Sequence, residues 1–183
     1  MLINKKQCHR AIIFDRDGVI NDVILRGETI SSPRSFAEFQ VRDDFVQLYE
    51  QIDPQFFSIF VVSNQPDVAR GLVPKSELER MSAAMLEQFA FSRISCCEHD
   101  DSAQCVCRKP KPGMILSILE DFGFQPEQAL IVGDSWKDIL AGKAAGVRTV
   151  YLCREYNEED KNCQPDAKID SLVQLLPIMK DML

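Results

Sequence analysis

Two kinds of apolar pattern alternate along the chain. Ala11 to Phe14 and Ala129 to Val132 are unbroken apolar runs, Phe56 to Val62 and Val147 to Leu152 are mostly apolar, and a shorter strand-like stretch lies at Arg93 to Cys97. Such runs mark strands covered on both faces, as in a parallel sheet. Between them apolar residues fall every three or four positions. Phe45, Leu48 and Ile52 predict a helix over Asp43 to Ile52, ended by Pro54. Leu78, Met81, Met85, Leu86 and Phe89 predict a second, opened by a capping box of Ser76 and Glu79. Met114, Ile115, Ile118 and Leu119 predict a third, with Pro112 as its first residue and Gly123 as its stop. A short helix runs through Ile139 and Leu140 to Gly146, and Leu172 to Met182 forms the last.

Val23 to Leu25 and Glu28 to Ile30, joined at Arg26-Gly27, fit a small hairpin. Arg154 to Lys168, with Glu158-Glu159-Asp160, reads as a solvated loop. No repeat, low-complexity tract or linker interrupts the sequence. The alternation predicts an α/β fold: a single domain over residues 1–183, built as a three-layer sandwich on one mostly parallel, Rossmann-like sheet. Ligands bind such sheets at the carboxyl ends of the strands.

Composition narrows the choice of partner. The 183 residues carry 21 Lys+Arg against 28 Asp+Glu, a formal charge of −7, which argues against a non-specific nucleic-acid binder. A small anionic substrate is still compatible, because a local basic pocket can sit on an acidic surface. Lys5, Lys6 and Arg10 precede an apolar run that Asp15 cuts short, too early for a signal-peptide core, and no run of about 18 apolar residues follows. A cytoplasmic protein without a membrane partner is therefore expected. Its seven cysteines then read as thiols, metal ligands or small core residues, Cys8 and Cys153 among the last, and not as a disulfide framework.

Polar groups collect where the strands end. Asp15-Arg16-Asp17-Gly18 follows the first run, Ser63-Asn64-Gln65 the second, and Gly133-Asp134 the fourth, with Asp138 one helical turn further on. Arg108-Lys109-Pro110-Lys111 precedes the third predicted helix. Any one of these could be a helix cap or turn, but four such clusters at the expected ends suit phosphoryl transfer better. Mg²⁺ wants oxygen ligands, and Asp15, Asp134 and the carbonyl of Asp17 could supply them. A carboxylate can attack phosphorus while its neighbour protonates the leaving oxygen and later activates water. A Lys and a hydroxyl would hold the oxygens of the transferring group.

In order, these four clusters resemble the motifs of the haloacid dehalogenase superfamily of phosphatases, covering roughly residues 11–150. The resemblance implies Asp15 as nucleophile and Asp17 as general acid/base. It also implies that Ser63, Asn64 and Lys109 bind the phosphate and that Asp15, the Asp17 carbonyl and Asp134 hold Mg²⁺, with Asp138 behind them. No segment is long enough for a large cap domain, so the hairpin would serve as a flap over an open site.

Cys97-Glu98-His99 and Cys105-Val106-Cys107 bracket a polar loop. Three thiolates and one imidazole make a structural Cys₃His zinc site over residues 97–107, because such a loop cannot bury enough surface to order itself. Cys96 is a rival for Cys97 but should alternate to the other side of its strand. C-x-H followed by C-x-C-R-K-P narrows the resemblance to the capless branch of D-glycero-D-manno-heptose 1,7-bisphosphate 7-phosphatases and histidinol-phosphate phosphatases. Arg108 would then touch the substrate, and Asn64-Gln65 with Ala69-Arg70-Gly71 matches the heptose enzymes better.

The chain departs from that branch in places. Pro66-Asp67 replaces Ser-Gly, Ser63 the commoner Thr, and Ser135 a common Lys, while Asp22 to Arg26 lacks an Asp-x-Gly-Tyr pattern. The leading expectation is a Mg²⁺-dependent phosphatase of a small sugar phosphate, with Arg70, Arg108, Lys109 and Lys111 as its positive patch. A histidinol-phosphate phosphatase, whose cationic substrate would suit Asp67, and an inactive zinc-stabilised binding protein are the alternatives.

Overall fold

The computed structural model describes residues 10–156 and 163–183. Six parallel strands form its central sheet: β1 (Arg10–Phe14), β4 (Phe57–Asn64), β5 (Arg93–Cys97), β6 (Ala129–Gly133), β7 (Arg148–Leu152) and β8 (Ala167–Ile169). Their spatial order is β5-β4-β1-β6-β7-β8, so β1 lies between β4 and β6. The remaining strands, β2 (Ile24–Arg26) and β3 (Thr29–Ser31), pair antiparallel as a hairpin, with Leu25 opposite Ile30.

Successive side chains on a strand point to opposite faces, and here both faces are covered. Ile12, Phe14, Val61, Leu130 and Val132 pack on one side with Phe45 and Leu48 of α1 (Asp43–Tyr49), Met85 of α3 (Lys75–Gln88), and Leu175 and Met179 of α6 (Leu175–Met182). Ala11, Ile13, Phe60, Val62 and Ile131 pack on the other with Ile115 and Ile118 of α4 (Gly113–Phe122) and Ala141 and Ala145 of α5 (Trp136–Ala145). This is why the central strands β1 and β6 read as continuous apolar runs.

Local details depart from the expected pattern. Ser76 does not cap α3: the helix starts at Lys75 behind Pro74, whose φ of −60° already leads into it, and no side chain caps it. Glu77 instead accepts from the backbone N–H of Phe36. The hairpin turns at Gly27-Glu28, one residue later than expected, because Arg26 and Thr29 pair and Gly27 takes a φ of +63°. A four-residue helix, α2 (Pro66–Ala69), follows β4. Leu172–Gln174 forms a 3₁₀ turn before α6, so the final helix is shorter than expected.

The expected loop from Arg154 to Lys168 also contains the edge strand β8. Asp166 secures it by accepting from the N–H and hydroxyl of buried Thr149, both at 2.8 Å. Cys153 is half-buried rather than a core residue. Cys8 and Glu158-Glu159-Asp160 lie outside the described residues. Among the described residues, no helix is long and apolar enough to cross a membrane.

Candidate active site

Strands β1, β4 and β6 deliver their polar ends to one cavity of about 340 Å³. Asp15 extends β1, its N–H donating to the Val132 carbonyl at 2.9 Å. Asp134 follows β6. Asp138 lies in the first turn of α5, where it accepts from the N–H of Ser135 at 3.1 Å. A Cβ on Gly133 would stand 2.3 Å from the Asp138 side chain, so glycine is what lets that carboxylate close on the strand end.

Lys109 joins these groups. Its Nζ lies 2.7 Å from Asp15 Oδ1 and 2.6 Å from Asp138 Oδ1, and donates to the Val62 carbonyl at 3.0 Å. Asn64 fixes the lysine's backbone, donating to its carbonyl at 2.9 Å and accepting from its N–H at 3.0 Å. Asn64 therefore lines the cavity while its amide positions Lys109. Burial, reinforced by Asp138, holds the Asp15 carboxyl well above its usual range against the opposing pull of Lys109. Burial would lower the Lys109 ammonium, but Asp138 and Asp15 raise it instead. It stays charged at neutral pH.

The carboxylates of Asp15, Asp134 and Asp138 lie within 4.8 Å of one another. With Lys109 the four groups carry a formal charge of −2, from three carboxylates and one ammonium. An oxygen-lined site of that charge fits a hard divalent cation. The Asp17 side chain is outside this set.

Asp17 sits in a separate web of donors. Arg16 binds its two oxygens at 2.9 and 3.1 Å, Asn21 donates at 2.9 Å, Ser32 at 2.9 Å, Gln65 at 2.6 Å and Ser63 at 3.3 Å. Burial alone would raise this carboxyl, yet Arg16 and the bonds from Asn21 and Ser32 hold it below its usual range. The donors around Asp17 thus favour its ionised form, whereas burial and Asp138 oppose ionisation of Asp15.

The end of β5 and the loop that follows bring four metal-binding donors together. The sulfurs of Cys97, Cys105 and Cys107 and Nδ1 of His99 lie within 4.8 Å of one another. Cys97 is 3.6 Å from Cys105 and from His99, and Cys107 is 3.1 Å from Cys97 and 3.4 Å from both Cys105 and His99. A tetrahedron with Zn–S bonds of about 2.3 Å has edges of about 3.8 Å, so the spacing suits a cation at its centre. Cys96, the sequence rival, is outside the group.

Beside this loop, Arg108 lines the cavity, its Nε donating to Asp101 at 2.6 Å and its buried Nη1 holding no hydrogen bond. Lys111 is not among the lining residues. It donates to the carbonyls of Gln104 and Cys105, both at 2.8 Å, so its charge serves the loop and not the cavity. Asp67 faces the cavity as part of a charge network, 2.9 Å from Arg34 and 3.5 Å from Arg70. That pairing removes the reason to expect a cationic substrate there. Arg34, Lys137 and Tyr156 also line the cavity without having been singled out from the sequence. Arg34 and Tyr156 stand outside the four clusters, and Lys137 lies within the fourth, between Asp134 and Asp138, with no role assigned to it there.

A family model described as HAD-hydrolase-like matches residues 106–175. The chain is 32% identical over 148 residues to the D-glycero-beta-D-manno-heptose-1,7-bisphosphate 7-phosphatase of Pseudomonas putida, covering 78% of this chain and 82% of the relative. It is 27% identical over 186 residues to the enzyme of the same name from Pasteurella multocida, covering 94% and 98%. Its fold is similar to that of D,D-heptose 1,7-bisphosphate phosphatase from B. bronchiseptica, crystallised with magnesium and phosphate. That match has a TM-score of 0.76 and 24% identity over 92% of this chain and 99% of the other.

Proposed function

The chain belongs to the haloacid dehalogenase superfamily of phosphatases, and on that premise we propose that it hydrolyses the 7-phosphate of D-glycero-D-manno-heptose 1,7-bisphosphate. What carries this reading is one cavity in which Asp15, Asp134 and Asp138 converge on Lys109, with Asp17 and Ser63 alongside. Asp15 attacks the phosphorus, and the bond to the sugar oxygen breaks as an aspartyl-phosphate forms. Asp17 gives that oxygen its proton. An arriving phosphate opposes ionisation of Asp17, which favours the acid in this step. In the second step the donors around Asp17 favour the base, and it takes a proton from the water that frees Asp15.

Lys109 and Ser63 hold the equatorial oxygens of the transferring group, and Arg108, with its unpartnered Nη1, contacts the substrate. Asp15, Asp134 and the Asp17 carbonyl would hold Mg²⁺, with Asp138 anchoring Lys109. When bound, the ion neutralises carboxylate and phosphoryl charge at once. Cys97, His99, Cys105 and Cys107 would hold a structural Zn²⁺ within the single domain, ordering the loop that leads into Arg108 and Lys109. The expected setting is the cytoplasm, with a small phosphate ester as partner.

The test is hydrolysis of a panel of metabolite phosphates with Mg²⁺, including heptose 1,7-bisphosphate and histidinol phosphate. Release of phosphate from the bisphosphate, leaving heptose 1-phosphate, is the expected outcome. Faster turnover of histidinol phosphate, or no Mg²⁺-stimulated hydrolysis of any ester, would refute the assignment.

A further inference from the structure

Asp134 has a partner that the proposed reaction does not use. The phenol of Tyr156 donates a hydrogen bond to Asp134 Oδ2 at 2.7 Å. Tyr156 lies in the turn after β7, and the same turn is tied to the first motif by Arg154. That guanidinium donates from Nε to the Gly18 carbonyl at 2.9 Å and lies 3.4 Å from Asp44 Oδ2. Gly18, with a φ of +87°, lies against the same pair. A Cβ there would stand 2.1 Å from Asp134 Oδ2 and 2.3 Å from the phenol oxygen, so no side chain fits. The carboxylate oxygen is thus enclosed by a donor and a bare stretch of backbone.

We propose that Tyr156 is a positioning residue for the divalent cation, fixing the rotation of the Asp134 carboxylate toward Asp15. The inference rests on Asp134 being a Mg²⁺ ligand. Carboxylates as close as Asp15, Asp134 and Asp138 repel one another, and each can rotate about its Cβ–Cγ bond. A hydrogen bond to one oxygen sets that rotation before the ion arrives. The donor is also neutral. A guanidinium in the same place would hold the carboxylate as firmly but would oppose a divalent cation by its own charge. Donors behind metal-binding carboxylates typically account for about 10–100-fold in metal affinity.

The experiment is a Mg²⁺ titration without substrate, followed by calorimetry and by the fluorescence of Trp136, the single tryptophan, two residues beyond Asp134. Tyr156→Phe keeps the ring and removes only the hydroxyl. Its Kd for Mg²⁺ should rise about 10–100-fold, while its far-UV circular dichroism in EDTA stays that of the wild type. Glu155→Ala changes an exposed neighbour in the same turn and should keep the wild-type Kd. An equal or lower Kd in Tyr156→Phe overturns the inference, as does equal weakening by Glu155→Ala, which would assign the effect to the turn and not the phenol. If the wild type hydrolyses the ester and binds Mg²⁺ but Tyr156→Phe binds it equally well, only this inference falls. If the wild type binds no Mg²⁺, the metal assignment falls with it.

Discussion

Lys109→Met removes the ammonium between Asp15 and Asp138 while keeping most of the side chain's length. The wild-type Nζ is 2.7 and 2.6 Å from the two carboxylates, and the residue is 3% exposed. Its loss takes the four-group cluster from a formal −2 to −3. Removing one partner of a buried pair costs about 3–5 kcal/mol, because the remaining charge stays out of water. The lower end applies here, since burial already favours the protonated form of Asp15 and a captured proton relieves part of the repulsion. In a chain of this length each kcal/mol moves the thermal midpoint by about 2–4 °C. The variant should therefore unfold about 6–12 °C below the wild type in EDTA.

Mg²⁺ should work in the opposite direction. A ligand at 100 times its Kd stabilises by about 2.7 kcal/mol, and the more negative cluster should bind the cation more tightly. Thermal unfolding across a Mg²⁺ series measures both effects. The gap between the two proteins should narrow as Mg²⁺ rises, while phosphatase activity stays lost at every concentration. A variant as stable as the wild type in EDTA would refute the charge balance. So would a deficit that Mg²⁺ leaves unchanged.

Asp15→Asn keeps the shape of the proposed nucleophile but not its reactivity. Turnover should fall on the order of 10³-fold or more, and retention of wild-type turnover would exclude the aspartyl-phosphate. Cys97→Ser should lower zinc, measured by elemental analysis, from about one per chain to a trace and weaken substrate binding through Arg108. Full zinc content in the variant, or none in the wild type, would remove the loop site. Asp166→Ala leaves Thr149 without its acceptor and should cost about 1–2 kcal/mol, at the low end of charged hydrogen bonds because the carboxylate is exposed. Burial opposes ionisation of Asp166, but the Thr149 bonds, with Arg148 and Lys143, leave its pKa below the ordinary value. That stability is present above the unfolded pKa and lost as pH falls through the lower folded one. Acid unfolding should therefore show a wild-type advantage at neutral pH that vanishes well below pH 4.

The legible parts of this chain are those whose physics is local. Ala11-Ile12-Ile13-Phe14 revealed a strand because both faces of β1 are buried, and Gly123 revealed a helix end because its φ of +73° favours glycine. The four polar clusters were visible for the same reason: each is a few adjacent residues at a strand end or helix start. Edge strand β8 was not legible, since three residues with one buried face carry too little periodicity.

The residues that shape the cavity beyond the clusters were hidden for another reason. Tyr156 belongs to a stretch whose polarity predicts a solvated loop, and only the return of β7 to the site brings its hydroxyl to Asp134. Asp67 alone reads as an extra negative charge beside the substrate. Folding brings Arg34 from beyond the hairpin, and Arg70, three residues on at the end of α2, adds a local second cation, so the same carboxylate becomes the anchor of both. A residue's identity states its charge. Whether that charge faces the cavity or is spent on a neighbour depends on contacts, such as that of Arg34 with Asp67, between distant parts of the chain.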